Sequence, residues 1–178
     1  MDANLVIDRN YAATPSVKSV LRHHRRSFMG CFACRLRKNI PYKSFKQWKR
    51  NPEKEKTNEI AGIMAGYITN YYDFITTAPP SMYRDPNNYC CYKLCETISA
   101  MVKIPFIISF QQRENKHSHG RFDSIRAEKP LFVPGWDYRG KSILFVDDFI
   151  TSGMTAKNCY EALRGCNNHV DGLIYCAS

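Results

Sequence analysis

The sequence predicts an α/β fold: a parallel sheet covered by helices on both faces, preceded by a small basic segment. Three observations carry that expectation. The runs "YDFITTA", "IPFIISF", "KSILFVD" and "VDGLIYC" are nearly all apolar, as strands buried on both sides must be. Between them lie stretches whose apolar residues recur at spacings of three and four, the stripe of an amphipathic helix. Strand and helix alternate along the chain, which favours crossover connections and parallel pairing.

The elements follow in order. Residues 1–56 mix charge, Gly and Pro with aromatics and show no sustained period, so short helices and loops are expected there. From Thr57, which suits a helix cap, Ile60, Ile63, Met64, Tyr67 and Ile68 form one apolar stripe. "YDFITTA" is the first strand and "PPSMYRDPNN" a loop broken by proline. In "NYCCYKLCETISAMVK" the inward face of a helix would be Cys91, Leu94, Cys95, Ile98, Met101 and Val102. "IPFIISF" follows as the second strand. The polar segment from Gln111 to Lys129 exceeds an ordinary connection in a compact domain, so it reads as a functional lid or as disorder. "KSILFVD" is the third strand, "MTAKNCYEALRG" the helix after it, and "VDGLIYC" the last strand.

The chain of 178 residues is long enough to bury a core as one domain. Nowhere do eighteen apolar residues run together, which excludes a membrane span, and the acidic residues near the start oppose a secretory leader. A cytoplasmic protein is therefore expected, with its eight cysteines reduced rather than paired. The net charge of +10 is one-ended. Residues 1–56 hold 14 Lys and Arg against 4 Asp and Glu, while residues 57–178 hold 12 of each. Such an excess suits a phosphate-rich partner such as nucleic acid, and equally a solvated tail or an oligomer contact. Phe28, Phe32, Tyr42, Phe45 and Trp48, interleaved with that charge, suit stacking on bases, a small satellite core or the seam of a homodimer.

The chemistry concentrates in "SILFVDDFITSGMTAKN". Adjacent Asp147 and Asp148 repel one another, so folding alone gives little reason to set both at the rim of a buried strand. In an open parallel sheet, ligands bind beyond the carboxyl ends of the strands. Thr151, Ser152, Gly153, Met154 and Thr155 would form a tight turn whose N–H groups, with the helix that follows, cradle a phosphate. The carboxylates would accept hydrogen bonds from a sugar diol, and a magnesium ion would relieve their repulsion toward a pyrophosphate. A nucleotide hydrolase could use such acids for magnesium, but no G-x-x-x-x-G-K-[ST] loop precedes them. An aspartate that accepts a phosphoryl group is another option, although the T-S-G-M-T turn suits binding a phosphate better than attacking one.

"ILFVDDFITSGMT" resembles the thirteen-residue phosphoribosyl pyrophosphate (PRPP) signature of type I phosphoribosyltransferases. The resemblance runs from about Glu59 to Ala177 and is closest to the ComF-like branch, to which "FITTAPPS", "NNYCCYKLCETISAMVKIPF" and "RGKSILFVDD" are also similar. It implies a basic, cysteine-containing segment over 1–56 and a phosphoribosyltransferase-like domain over 57–178. Asp147 and Asp148 would hold the ribose hydroxyls, and Thr151 to Thr155 the 5'-phosphate. Thr77, Ala78, Pro79, Pro80 and Ser81 take the pyrophosphate-loop position, with Arg84 the nearby positive charge. The segment from Gln111 to Lys129 takes the place of the family's flexible hood, where Arg113, Lys116, His119 and Arg121 would meet the pyrophosphate. The implied activity is a magnesium-dependent transfer of ribosyl phosphate from PRPP to a nitrogenous base, through a ribosyl cation stabilised electrostatically and shielded from water by the closed hood. The ComF-like branch is richer in basic residues near the pyrophosphate loop. The alternative is thus a weakly catalytic PRPP- or nucleotide-binding regulator, or a DNA-handling protein that applies its basic segment to nucleic acid.

ComF-like proteins often carry zinc-binding cysteines near the N-terminus, and "CFAC" gives Cys31 and Cys34 the spacing of a zinc half-site. The second C-x-x-C pair is missing. Cys91 and Cys95, one helical turn apart, could replace it, with Cys90 as an alternative. Packing of cysteine as a small hydrophobe accounts for the same residues.

Overall fold

The structure is a computed structural model, and it describes residues 31–36, 40–80, 85–111, 130–150 and 154–177. The elements in chain order are β1 (Cys31–Leu36), α1 (Tyr42–Arg50), α2 (Lys54–Ala65), β2 (Phe74–Thr77), α3 (Cys90–Val102), β3 (Ser142–Ile150), α4 (Met154–Gly165) and β4 (His169–Ala177). A single 3-10 turn, Pro86–Asn88, leads into α3.

The four strands form one sheet in the order β1-β4-β3-β2, and every pair is parallel. Alternation of side chains along β3 feeds two cores. Leu144 and Val146 join α1, α2 and α3 through Phe45, Trp48, Ile60, Met64, Leu94 and Ile98. Ile143 and Phe145 turn to the other face and pack with Ala156, Cys159, Tyr160 and Leu163 of α4. Both faces of the sheet are therefore covered, which explains why β3 and β4 read as continuous apolar runs. Among the described residues no helix is long and apolar enough to cross a membrane.

Several expectations need correction. "CFACRL" lies in a stretch expected to hold only short helices and loops, yet it forms edge strand β1, with Cys31 opposite Gly172 and Leu36 opposite Ala177. The run "IPFIISF" is not a full strand. It extends the sheet beyond β2 through a bridge between Ile75 and Phe106, with Ile75 N–H donating to Pro105 O at 2.8 Å. On α3, Met101 is exposed rather than inward, because the buried stripe runs on from Ile98 at a spacing of four to Val102, which packs against the core. β3 runs three residues beyond "KSILFVD", so both acids lie within the strand.

Thr57 does not cap its helix. α2 begins at Lys54, and Thr57 sits inside it, buried, where its hydroxyl donates to Glu53 O at 2.7 Å and accepts from Trp48 Nε1 at 2.9 Å. That one hydroxyl ties α1 to α2. Thr57→Val keeps the shape but strands a buried indole N–H, so urea denaturation is expected to show a loss of about 1–3 kcal/mol. Phe45 and Trp48 are likewise core residues, stacked at 5.5 Å between centroids, and are not presented for stacking on bases.

Candidate functional site

All strands being parallel, their carboxyl ends share one edge of the sheet, and the two central strands β3 and β4 are flanked there by the helices that follow the strands. β2 ends at Thr77, which pairs with Val146, so the next residue of β3, Asp147, stands just past the end of β2. α3 brings its first turn to the same place: Cys90 Sγ lies 3.3 Å from Asp148 Oδ2, and Cys91 Sγ lies 3.7 Å from Asp147 Oδ1. The positive end of the α3 dipole thus stands over the two carboxylates and lowers the cost of keeping charge there.

The acids are not equivalent. Asp148 is buried, 3% exposed, and its carboxylate takes both contacts of the Lys49 ammonium, 2.9 Å at Oδ1 and 2.8 Å at Oδ2. Lys49 comes from α1 and lies 5.8 Å from the ring centroids of both Phe45 and Phe149. Burial pulls the Lys49 ammonium down, but the attraction of Asp148 and its hydrogen bond prevail and hold it above the ordinary lysine value. Asp147 is only half-buried, and its Oδ1 accepts the N–H of Asp148 at 2.8 Å. Burial, reinforced by the neighbouring Asp148 charge, pushes its carboxyl up to about 7 against the opposing pull of Lys49. Cys91, hydrogen-bonded to Cys90 and buried, is held well above the usual thiol range, as burial holds Cys95. Cys90 donates to Asp148 Oδ2 and Cys91 to Asp147 Oδ1.

Thr77, Ala78, Pro79 and Pro80 are buried at the end of β2. Among the described residues the Thr77 hydroxyl has no hydrogen-bond partner, although the residue is 2% exposed. By alternation it shares the face of Ile75, the face on which α3 packs. A buried hydroxyl without a partner beside an acid pair is what a polar ligand would satisfy. α4 starts at Met154, and Thr155 is exposed in its first turn. Thr151, Ser152, Gly153, Ser81, Arg84, Arg113, Lys116, His119 and Arg121 lie outside the described residues.

Of the four cysteines expected to share a metal, Cys34, Cys91 and Cys95 are buried, and the side chain of Cys31 lies outside the described residues. Among the described residues, the one grouping of three possible ligands is Cys90, Cys91 and Asp148, whose ligand atoms all lie within 4.8 Å of one another. Such a grouping could hold a metal ion. Its thiols are unsuited to magnesium, a hard cation that takes oxygen ligands, keeps several waters and shares phosphate oxygens with its substrate. The half-exposed carboxylate of Asp147 does fit magnesium on those terms.

Lys49 is the site residue the sequence reading left out, and Cys90 was reached there only as an alternative metal ligand. A signal for Lys49 existed: it follows Tyr42 by seven positions and Phe45 by four, which puts a cation on the apolar stripe of α1.

No family model matches the chain, and no curated protein matches it. Among solved structures, it is similar to Leishmania donovani UMP synthase at 18% identity and a TM-score of 0.43, over 66% of this chain and 21% of that one. Adenine phosphoribosyltransferase of Leishmania tarentolae aligns at 10% identity and a TM-score of 0.46, over 71% and 72% of the two chains. A hypothetical protein of Neisseria gonorrhoeae with bound ppGpp aligns at 15% identity and a TM-score of 0.44, over 68% and 66%. The chain thus spans about a fifth of the UMP synthase it matches.

Proposed function

We propose that the chain binds PRPP at the carboxyl edge of its sheet and transfers the ribosyl phosphate to a nitrogenous base. The observation that carries this reading is the acid pair near the end of central strand β3, with the N-terminus of α4 four residues after that strand's Ile150. In this reading Asp147 and Asp148 orient the ribose through its hydroxyls. Residues 151–155 hold the 5'-phosphate against the α4 N-terminus. Residues 77–81 take the pyrophosphate, where the Thr77 hydroxyl finds the partner it lacks among the described residues. Asp147 would help hold magnesium, which supplies positive charge to the leaving pyrophosphate. Arg113, Lys116 and His119 would close over the same charge and exclude water.

A second reading is a PRPP- or nucleotide-binding regulator with little turnover, its basic N-terminal segment engaging nucleic acid. The engagement of Asp148 by Lys49 favours it, since that carboxylate is already neutralised from within.

Calorimetry with PRPP and magnesium, followed by an assay for released pyrophosphate with a panel of nucleobases, separates the two. Binding with pyrophosphate release supports transfer, and binding without release supports the regulator. The double variant Asp147→Asn with Asp148→Asn is expected to bind at least about 100-fold more weakly, since each charge-assisted hydrogen bond contributes about 1.5–3 kcal/mol. Wild-type protein that fails to bind PRPP overturns both readings.

A further inference from the structure

We propose that Cys90, Cys91 and Asp148 form a binding site for a thiophilic divalent cation of the zinc class, at the first turn of α3. This inference does not rest on PRPP binding. The expected zinc set of Cys31, Cys34, Cys91 and Cys95, with Cys90 as its alternative, is a different one: it has no carboxylate and draws on the "CFAC" pair.

The distances carry it. A tetrahedral zinc with bonds of about 2.3 Å to sulfur and about 2.0 Å to oxygen holds its sulfur and oxygen ligands about 3.5 Å apart. Cys90 Sγ stands 3.3 Å from Asp148 Oδ2, so one such spacing between two of the proposed ligands already exists. The three ligand atoms of Cys90, Cys91 and Asp148 fit within one 4.8 Å sphere of mutual distance, and all three residues are buried. Little rearrangement separates this arrangement from a coordinated one. Asp147 Oδ1 lies beside this grouping, 3.7 Å from Cys91 Sγ.

The charge balance is the second argument. Binding removes the two thiol protons to solvent and brings in one divalent cation, so the net charge of the buried cluster does not change. Lys49 touches both carboxylate oxygens, 2.9 Å at Oδ1 and 2.8 Å at Oδ2, so on metal binding it gives up Oδ2 and keeps Oδ1. In effect the cation takes over the space between each sulfur and its carboxylate that a thiol proton fills in the metal-free protein. Two sulfur donors exclude magnesium and calcium and favour zinc, cadmium or cobalt. A hydrophobic surround built by Tyr89, Leu94 and Val146 keeps competing water out.

The test uses the full chain, freed of metal under reducing conditions. Zinc added to one equivalent is examined by X-ray absorption, and cobalt by its visible and near-ultraviolet spectrum. The expected result is two sulfur and two oxygen or nitrogen neighbours, with a thiolate-to-cobalt charge-transfer band and release of two protons per metal. Cys90→Ser and Cys91→Ser are each expected to weaken binding at least about tenfold, the loss typical of removing a group that tunes a metal site. Cys34→Ser and Cys95→Ser should leave it unchanged. Four sulfur neighbours in the wild-type protein, or binding lost in Cys34→Ser and kept in Cys90→Ser, overturn the proposal, as does the absence of stoichiometric binding. The absorption experiment needs no variant, so a failure of the serine proteins to fold leaves the proposal open to refutation.

Discussion

Replacing Lys49 by methionine is expected to destabilise the protein by about 2–4 kcal/mol, the range for removing one partner of a largely buried ion pair. Methionine keeps the stem that lies between Phe45 and Phe149, so the loss isolates the charge. Asp148, 3% exposed, would then stay in the core without its ammonium, with the Cys90 thiol still donating to Oδ2 at 3.3 Å. The upper end of the range is tempered because the Lys49 side chain is 26% exposed and water reaches the ammonium. The sign of the pH dependence follows from the raised lysine value: this stabilisation is fully present below the ordinary lysine pKa of about 10.4 and is lost only as pH climbs past the still higher folded value. Lys49 itself does not titrate between about pH 5 and 9, so the pH dependence of its contribution there comes from Asp147, whose carboxyl loses the opposing pull of Lys49 in the variant. Urea denaturation of Lys49→Met, Asp148→Asn and the double variant closes a cycle. A coupling near 2 kcal/mol is expected, and strict additivity would show that Lys49 acts by packing alone.

That ion pair also marks the limit of what the sequence discloses. α4 was legible to the residue, because "MTAKNCYEALRG" combines a clear stripe with a glycine at its end and a turn before it. β3 and β4 were legible as runs of apolar residues, since a strand covered on both faces has no polar alternation to obscure it. β1 was not. "CFACRL" sits among basic residues, and what makes it a strand is the free edge of β4 beside it, a partner far away in the chain. Thr57 misled for a related reason: its hydroxyl suits a cap locally, but the indole of Trp48 and the carbonyl of Glu53 were both available once α1 folded against α2. The position of the acid pair at the carboxyl edge of the sheet was legible, because it followed from the fold class. Which acid faces outward was not legible, because Lys49 lies 99 residues from Asp148 and no local pattern joins them.

The inequality of the two acids leads to the second large expected effect, a separation of stability from binding in Asp147→Asn. The folded carboxyl of Asp147 is pushed up to about 7, chiefly by burial, while in the unfolded chain it returns to about 3.9. Between those values the folded state binds the extra proton, so stability falls as pH rises from about 4 to about 7, and below about 4 the group contributes nothing. Asparagine resembles the protonated acid at every pH. The variant should therefore match the wild type near pH 4 and exceed it at pH 8. A full shift of this size would correspond to about 4 kcal/mol, but the half-buried side chain retains contact with water, and about 1–2 kcal/mol is the expected gain. Binding should move the other way: an amide accepts the sugar hydroxyls weakly, and PRPP affinity is expected to drop about 10- to 100-fold for one lost charge-assisted contact. A residue kept for folding would not behave so. Denaturation curves at pH 4, 6 and 8 beside calorimetry at pH 8 make the comparison, and a variant that is less stable at pH 8 yet binds PRPP as well as the wild type would show that Asp147 serves the fold and not the ligand.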